Sequence, residues 1–264
     1  MLTLLKLGGS LITDKNAPQT PRPEVLDRLA QEIQRAWRAN PQMKLVLGHG
    51  SGSFGHMSGR KYGTRSGVKD QQGWLGFVEV WRDARTLNQV VVEALAQTGL
   101  PVIAMPPSAV VTAASGRVAA WDLEPLQAAL SAGLIPLVNG DTIFDREIGG
   151  TILSTEDLFF HLAPHLSARR ILLAGIEQGV WLDYPTCTQL VEQITPGNYS
   201  QVFEALSGSA AIDVTGGMSD KVTQMLKLVQ HIPDLEVLIF SGLTPGNVEQ
   251  ALAGKAYGTR IFGG

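Results

Sequence analysis

The sequence predicts an α/β fold, an αβα sandwich around a central, mainly parallel sheet. Three observations predict it. Short apolar runs of β type alternate with longer amphipathic stretches along the 264 residues. The stretches between strands exceed ten residues, which is what a helical crossover between parallel strands needs. Many of the 29 glycines gather just beyond the apolar runs, where an open parallel sheet keeps its ligand loops. A hydrophobic fraction of 44% is enough for a large core, and a charged fraction of 17%, below the usual quarter, argues against disorder. No linker rich in Pro, Gly or Ser, no repeat and no low-complexity tract interrupts the chain. It therefore reads as a single domain, 1–264, with two lobes on one continuous sheet that meet near residues 165 and 166.

The elements follow in order. Leu2 to Leu7 reads as a buried strand. Pro23 to Ala39 reads as a helix, with Leu26, Leu29, Ile33 and Trp37 on one face. Lys44 to Leu47 is a second strand that runs into a glycine loop. Trp74 to Gln97 is a long helix, closed by Gly99 and followed by Pro101. Pro101 to Met105 is a strand, Leu123 to Ala132 a helix ended by Gly133, and Leu134 to Val138 a strand. Thr142 to Leu153, with Gly149 and Gly150 inside it, reads as a hairpin. Thr155 to Leu166 is a helix and Arg170 to Ala174 a strand. Tyr184 to Asn198 is the least regular stretch, with room for a short hairpin. Met218 to Gln230 is a helix with Val222, Met225, Leu226 and Val229 facing inward. Val237 to Phe240 is a strand, Val248 to Leu252 a short helix, and Gly258 to Phe262 a last strand.

Composition excludes several classes of function. Lys plus Arg is 21 against 24 for Asp plus Glu, so no broad basic face is expected to bind nucleic acid. The single cysteine, Cys187, cannot form an intrachain disulfide and leaves no basis for a thiolate metal site. Met1 to Ser10 lacks the basic and long apolar segments of a secretion signal, and no run approaches 18 apolar residues. A cytoplasmic location is the expectation.

The glycine clusters carry the chemistry. The first, Lys6-Leu7-Gly8-Gly9-Ser10, ends the first strand. Glycine lets backbone N–H groups approach an anion closely, although Gly-Gly alone also fits a plain tight turn. The second, Gly48-His49-Gly50-Ser51-Gly52-Ser53-Phe54-Gly55-His56, holds more glycine and serine than a turn needs. It is not a Walker loop, because no Lys-Ser/Thr follows its last glycine. The third, Asp213 to Lys221, places Gly216 and Gly217 at a helix start. Lys221 then lies near the first turn, where a cation is unfavourable unless an anion joins it.

Together these clusters resemble the amino acid kinase superfamily and, within it, the isopentenyl phosphate kinase family. The likeness is carried by Lys6 to Ser10, Leu11 to Lys15, Gly48 to His56, Asn139-Gly140-Asp141 and Thr215 to Lys221, with Gly258 to Ile261 at the end. Ser-Phe-Gly-His, which ends the second cluster at His56, is its most specific part. One stretch departs: where many members carry Asp-Val-Asp-Gly-Val-Tyr, this chain reads Ile176-Glu177-Gln178-Gly179-Val180-Trp181.

The resemblance implies transfer of the γ-phosphoryl group of ATP to isopentenyl phosphate, a step of isoprenoid precursor synthesis. It implies the acceptor site in the first lobe and the nucleotide site in the second, Mg2+ with the ATP, no protein ligand to that metal, and a homodimer. Lys6 and Lys221 would contact the ATP phosphates, with Gly8, Gly9, Ser10, Gly52, Gly179 and Gly217 lining the nucleotide site. Lys15 would stabilise the transition state, and Asp157 would hold the lysine ammonium groups in place. His56, Ser51, Gly55 and Asp141 would bind the acceptor, with the N–H groups of residues 51 to 55 near its phosphate. A histidine suits that place because it donates to phosphate and gains charge beside an anion. His49, His161, His165 and His231 are expected to be structural or surface residues, His49 facing the core. Phe77, Val80, Trp81 and Ile143 are candidates for lining a prenyl tail, although each singly also fits ordinary core packing. Trp37 is a candidate dimer contact. Two other readings stand beside this one: a kinase of another small phosphate or phosphonate, like the fosfomycin-resistance kinases, and a non-catalytic nucleotide-binding protein of the same fold.

Overall fold

The computed structural model describes residues 1–208 and 217–264; the side chains of His56 and of residues 205–208 lie outside the description. The chain runs β1 (Leu2–Leu7), α1 (Gly9–Ile12), α2 (Pro23–Ala39), β2 (Lys44–His49), α3 (Gly52–Tyr62), α4 (Gln71–Gln97), β3 (Val102–Ala104), β4 (Val111–Ala114) and β5 (Arg117–Trp121). It continues through α5 (Glu124–Ser131), β6 (Ile135–Asn139), β7 (Asp141–Asp145), β8 (Gly149–Leu153) and α6 (Thr155–His165). The remainder is β9 (Arg170–Gly175), β10 (Val180–Trp181), β11 (Leu190–Val191), β12 (Gln193–Ile194), α7 (Tyr199–Gly208), α8 (Gly217–His231), β13 (Glu236–Ser241), α9 (Asn247–Leu252) and β14 (Thr259–Ile261).

An eight-stranded sheet in the order β12-β14-β13-β9-β1-β2-β6-β3 spans the molecule. β1 pairs in parallel with β2 on one side and with β9 on the other, so the two halves of the chain meet at the first strand. Its leucines divide by the two-residue period of a strand. Leu2 and Leu4 enter the core under α5, α6 and α8. Leu5 and Leu7 enter the core under α2, α4 and α9. Burial on both faces is what a parallel strand with no polar alternation predicts.

Several expectations needed correction. The stretch from Thr142 to Leu153 is a hairpin, but it joins a separate four-stranded sheet, β5-β4-β7-β8. Its other half, the β4–β5 hairpin turning at Ser115 and Gly116, was not expected. α7 was likewise unexpected, and the short hairpin of the irregular stretch pairs β10 with β11. α4 starts three residues early because Asp70 caps it, accepting from the N–H of Gly73 at 2.7 Å. Ser53 to His56 lie in α3, not in a loop. Glycines weaken a helix locally, but here they permit contact: a Cβ at Gly59 would stand 3.0 Å from Ile152. Trp37 is half-buried against the α2 core rather than fully exposed.

Candidate active site

The loops after β1 and β2 lie against each other. Gly8 donates to the carbonyl of Ala174 at 2.8 Å, and Gly50 donates to that of Leu7 at 3.0 Å. A Cβ at Gly9 would fall 2.3 Å from the nitrogen of Gly52, and Gly52 itself has φ +50°. Only glycine lets the two backbones come this close. Thr13 locks the pair: its hydroxyl donates to the carbonyl of Gly9 at 2.8 Å and accepts from the N–H of Ser53 at 2.9 Å. The segment carrying Lys15 is tied to the same helix start, since Gln19 and Thr20 bond the carbonyl and hydroxyl oxygens of Ser53, each at 3.3 Å. Lys15 is exposed and has no ion pair among the described residues.

The lysines converge. Lys6 ends β1, and its Nζ bonds Oε2 of Glu156 at the start of α6. Lys221, in the first turn of α8, lies 3.7 Å from Oε1 of the same carboxylate. The side chains of Lys6 and Glu156 are only 12% and 9% exposed, that of Lys221 29%. Burial alone would raise the Glu156 carboxyl; the two ammonium groups overcome it and hold it at about 2. Burial pulls the Lys6 ammonium below the ordinary lysine range, and the like charge of Lys221 adds to this against the pull of Glu156. One carboxylate thus holds two cations side by side, a geometry able to neutralise a polyphosphate.

Among the described residues Lys6 and Lys221 pair with Glu156 and not with Asp157, whose charge reaches Lys6 without a direct bond. Asp157 closes a capping box with Ser154, and its other partners are Arg65 Nη2 at 3.2 Å and Gln224 Nε2 at 3.0 Å. The pattern Ser154-x-x-Asp157 was the signal that assigns Asp157 to the cap and frees its neighbour. Glu156 is the functional candidate that the sequence reading missed.

At the start of α3, three of the five N–H groups from Ser51 to Gly55 are already used. Ser53 donates to Thr13, and Phe54 and Gly55 donate to the carbonyl of Ser51 at 3.1 and 3.3 Å. Ser51 and Gly52 remain at the helix mouth. Asp141 opens β7, is buried, and accepts from the N–H groups of Ser108 at 3.2 Å and Thr142 at 2.8 Å. Burial pushes its carboxyl up to about 6. His49 is fully buried, its Nε2 3.0 Å from Asn88 Oδ1, and burial lowers its pKa. Phe77, Val80 and Ile143 pack in the interior, while Trp81 lies beside Arg85. Trp74 and Phe144 pack on the buried Phe77, with ring centroids 5.2 to 5.8 Å apart, and Phe144 is 57% exposed. Two surface grooves, one of about 450 Å³ between α2 and α4 and one of about 240 Å³ beside α3 and α4, hold none of the three lysines.

The amino acid kinase family matches residues 1–241. The chain belongs to the amino acid kinase family. Among curated relatives, the isopentenyl phosphate kinase of Methanocaldococcus jannaschii is 33% identical, over 99% of this chain and 98% of its own. That of Methanothermobacter thermautotrophicus is 32% identical, over 99% of each chain. A solved isopentenyl phosphate kinase structure superposes with a TM-score of 0.84 at 29% identity, covering 99% of this chain and 100% of the other. The family's acidic segment, replaced here by Ile176 to Trp181, lies beyond β9. There Trp181 Nε1 donates to Glu177 at 3.2 Å, and Gly179 packs so tightly that a Cβ would be 2.6 Å from Thr259 Oγ1. Gly217 opens α8 with φ +62°, while Asp213, Thr215 and Gly216 lie outside the described residues, as does the side chain of His56. No helix among the described residues is long and apolar enough to cross a membrane.

Proposed function

We propose that the protein transfers the γ-phosphoryl group of ATP to isopentenyl phosphate, giving isopentenyl diphosphate and ADP. The observation that carries this is the convergence of Lys6 and Lys221 on Glu156 beside two interlocked glycine loops. The full-length similarity to isopentenyl phosphate kinases names the acceptor. An acceptor phosphate oxygen attacks the γ-phosphorus, and the bond from that phosphorus to the β–γ bridging oxygen breaks as ADP leaves. The acceptor has a second pKa near ~6, so at neutral pH it is already a nucleophile and needs no general base. The difficulty is mutual repulsion of two anions, and positioned cations relieve it.

Lys6 and Lys221 hold the triphosphate, backed by Gly8, Gly9, Ser10, Gly52, Gly179 and Gly217. Lys15 reaches the transferred group. His56 binds the acceptor phosphate with Ser51, Gly55 and Asp141 around it, and the aromatic surface of Trp74 and Phe144 suits a hydrocarbon tail. Mg2+ bound to the triphosphate would spread its negative charge. Phosphate oxygens and water can supply most of that ion's coordination. A cytoplasmic homodimer, with the first lobe at the acceptor and the second at the nucleotide, completes the proposal. The test is turnover of ATP and isopentenyl phosphate by wild-type protein and by His56→Ala. The variant is expected to lose acceptor binding and turnover while ATP binding survives; equal activity would refute the assignment of His56.

A further inference from the structure

The 3₁₀ turn Thr64–Ser66 lies between α3 and α4 and packs beside β8. Its backbone is held from both sides. Thr151 Oγ1 donates to the carbonyl of Arg65 at 3.0 Å, and Val68 donates to that of Ile148 at 2.9 Å. The Arg65 side chain is held far less. Its charged end makes one hydrogen bond among the described residues, to Asp157 Oδ2 at 3.2 Å, and that oxygen already accepts from the N–H and hydroxyl of Ser154 at 2.8 and 2.7 Å. A guanidinium carries five N–H donors in a planar fork, so four are unspent. Such a contact at an exposed site contributes little to stability.

The position of this loosely held cation is specific. Asp157 follows Glu156, so Arg65 reaches the same helical turn on which Lys6 and Lys221 converge. The charge of Asp157 acts on Lys6 directly. Side-chain exposure rises from 12% at Lys6 through 29% at Lys221 to 43% at Arg65. Arg65 also follows α3, the helix whose start carries the acceptor loop.

We propose that Arg65 is a binding residue for the phosphate of the acceptor, its guanidinium turning from Asp157 to the incoming phosphate monoester. This rests on the kinase reading above. A fork that donates two parallel hydrogen bonds suits a phosphate dianion better than a single shared carboxylate oxygen. The exchange also leaves Asp157 its bonds to Ser154 and Gln224, so the cap of α6 persists.

Steady-state kinetics on the full chain, with titration of isopentenyl phosphate in the presence of a non-hydrolysable ATP analogue, tests this. In Arg65→Gln the acceptor KM and Kd are expected to rise about ten- to a hundredfold. The ATP KM should stay within about twofold and the melting temperature within about 2 °C. Arg65→Lys, which keeps the charge but not the fork, should recover part of the loss. An unchanged acceptor affinity, or a change confined to the ATP KM, overturns the assignment while leaving the kinase reading intact. So does a loss of affinity that tracks a fall in melting temperature and is not relieved in Arg65→Lys. Wild-type protein that neither binds nor phosphorylates isopentenyl phosphate removes both.

Discussion

Lys6 and Lys221 share one buried carboxylate, whereas among the described residues the exposed Lys15 has no ion pair and the exposed Arg65 makes one hydrogen bond, to Asp157. The inner cations are drawn together by a buried carboxylate that lies between them. The outer cations sit on anchored backbone with side chains free to turn. Preorganised charge stabilises a transition state without reorganisation at the moment of reaction. On the proposed function, a cation without a buried partner is free to turn towards an incoming phosphate. The difference teaches that the two halves of one site answer different demands, and substitutions should separate them.

The largest effect is expected on the inner side. Glu156→Gln leaves Lys6 buried without its counter-charge, and removing one partner of a buried pair costs about 3–5 kcal/mol. Denaturant unfolding at pH 7 measures it; a cost below about 1 kcal/mol would mean that the inner pair is no better held than the outer one. The sign with pH follows from the depressed carboxyl. The stabilisation is fully present above the ordinary value of 4.5 and is lost as pH falls towards about 2.

On the outer side the effect moves from stability to rate. Lys15→Ala should lower kcat by about a hundredfold, more than it raises either KM, with an unchanged unfolding midpoint. A rise in KM with kcat preserved would make Lys15 a binding residue only and would blur the contrast.

Asp141 lies between the two regimes, buried like the inner pair but without a cation. Its carboxyl sits at about 6 against an ordinary 3.8, so the native chain holds that proton more tightly than the unfolded chain does. Stability from this group therefore falls as pH rises from about 4 to about 6, and the deficit is constant above that. Asp141→Asn should stabilise the protein by up to about 3 kcal/mol at pH 7, with the gain vanishing near pH 4. Melting curves across that range check it, and a gain that persists at pH 4 would show that the carboxylate charge was not the cause.

The order of the elements was largely legible in the sequence because each is patterned by its own residues: the apolar runs of β1 and β9 and the 3.6-residue stripe of α2 and α8. The glycine loops were legible for the same reason, since close backbone approach admits only one residue type. What escaped was of two kinds. α3 was read as a loop because its glycines argue locally against a helix, and only the packing around Gly55 and Gly59 compensates. The β4–β5 hairpin was missed because its strands are short and lean on β7 for support.

The sequence by itself determined a parallel α/β sheet, the place of its ligand loops and the lysines that accompany them, because periodicity and backbone permissiveness are local properties. Only the tertiary structure decided that Glu156 rather than Asp157 binds the lysines, and that Arg65 arrives beside them. Neighbours on a helix differ by about 100° in direction. Which of the two faces Lys6, 150 residues away, depends on how α6 is rotated against the sheet, and packing sets that rotation.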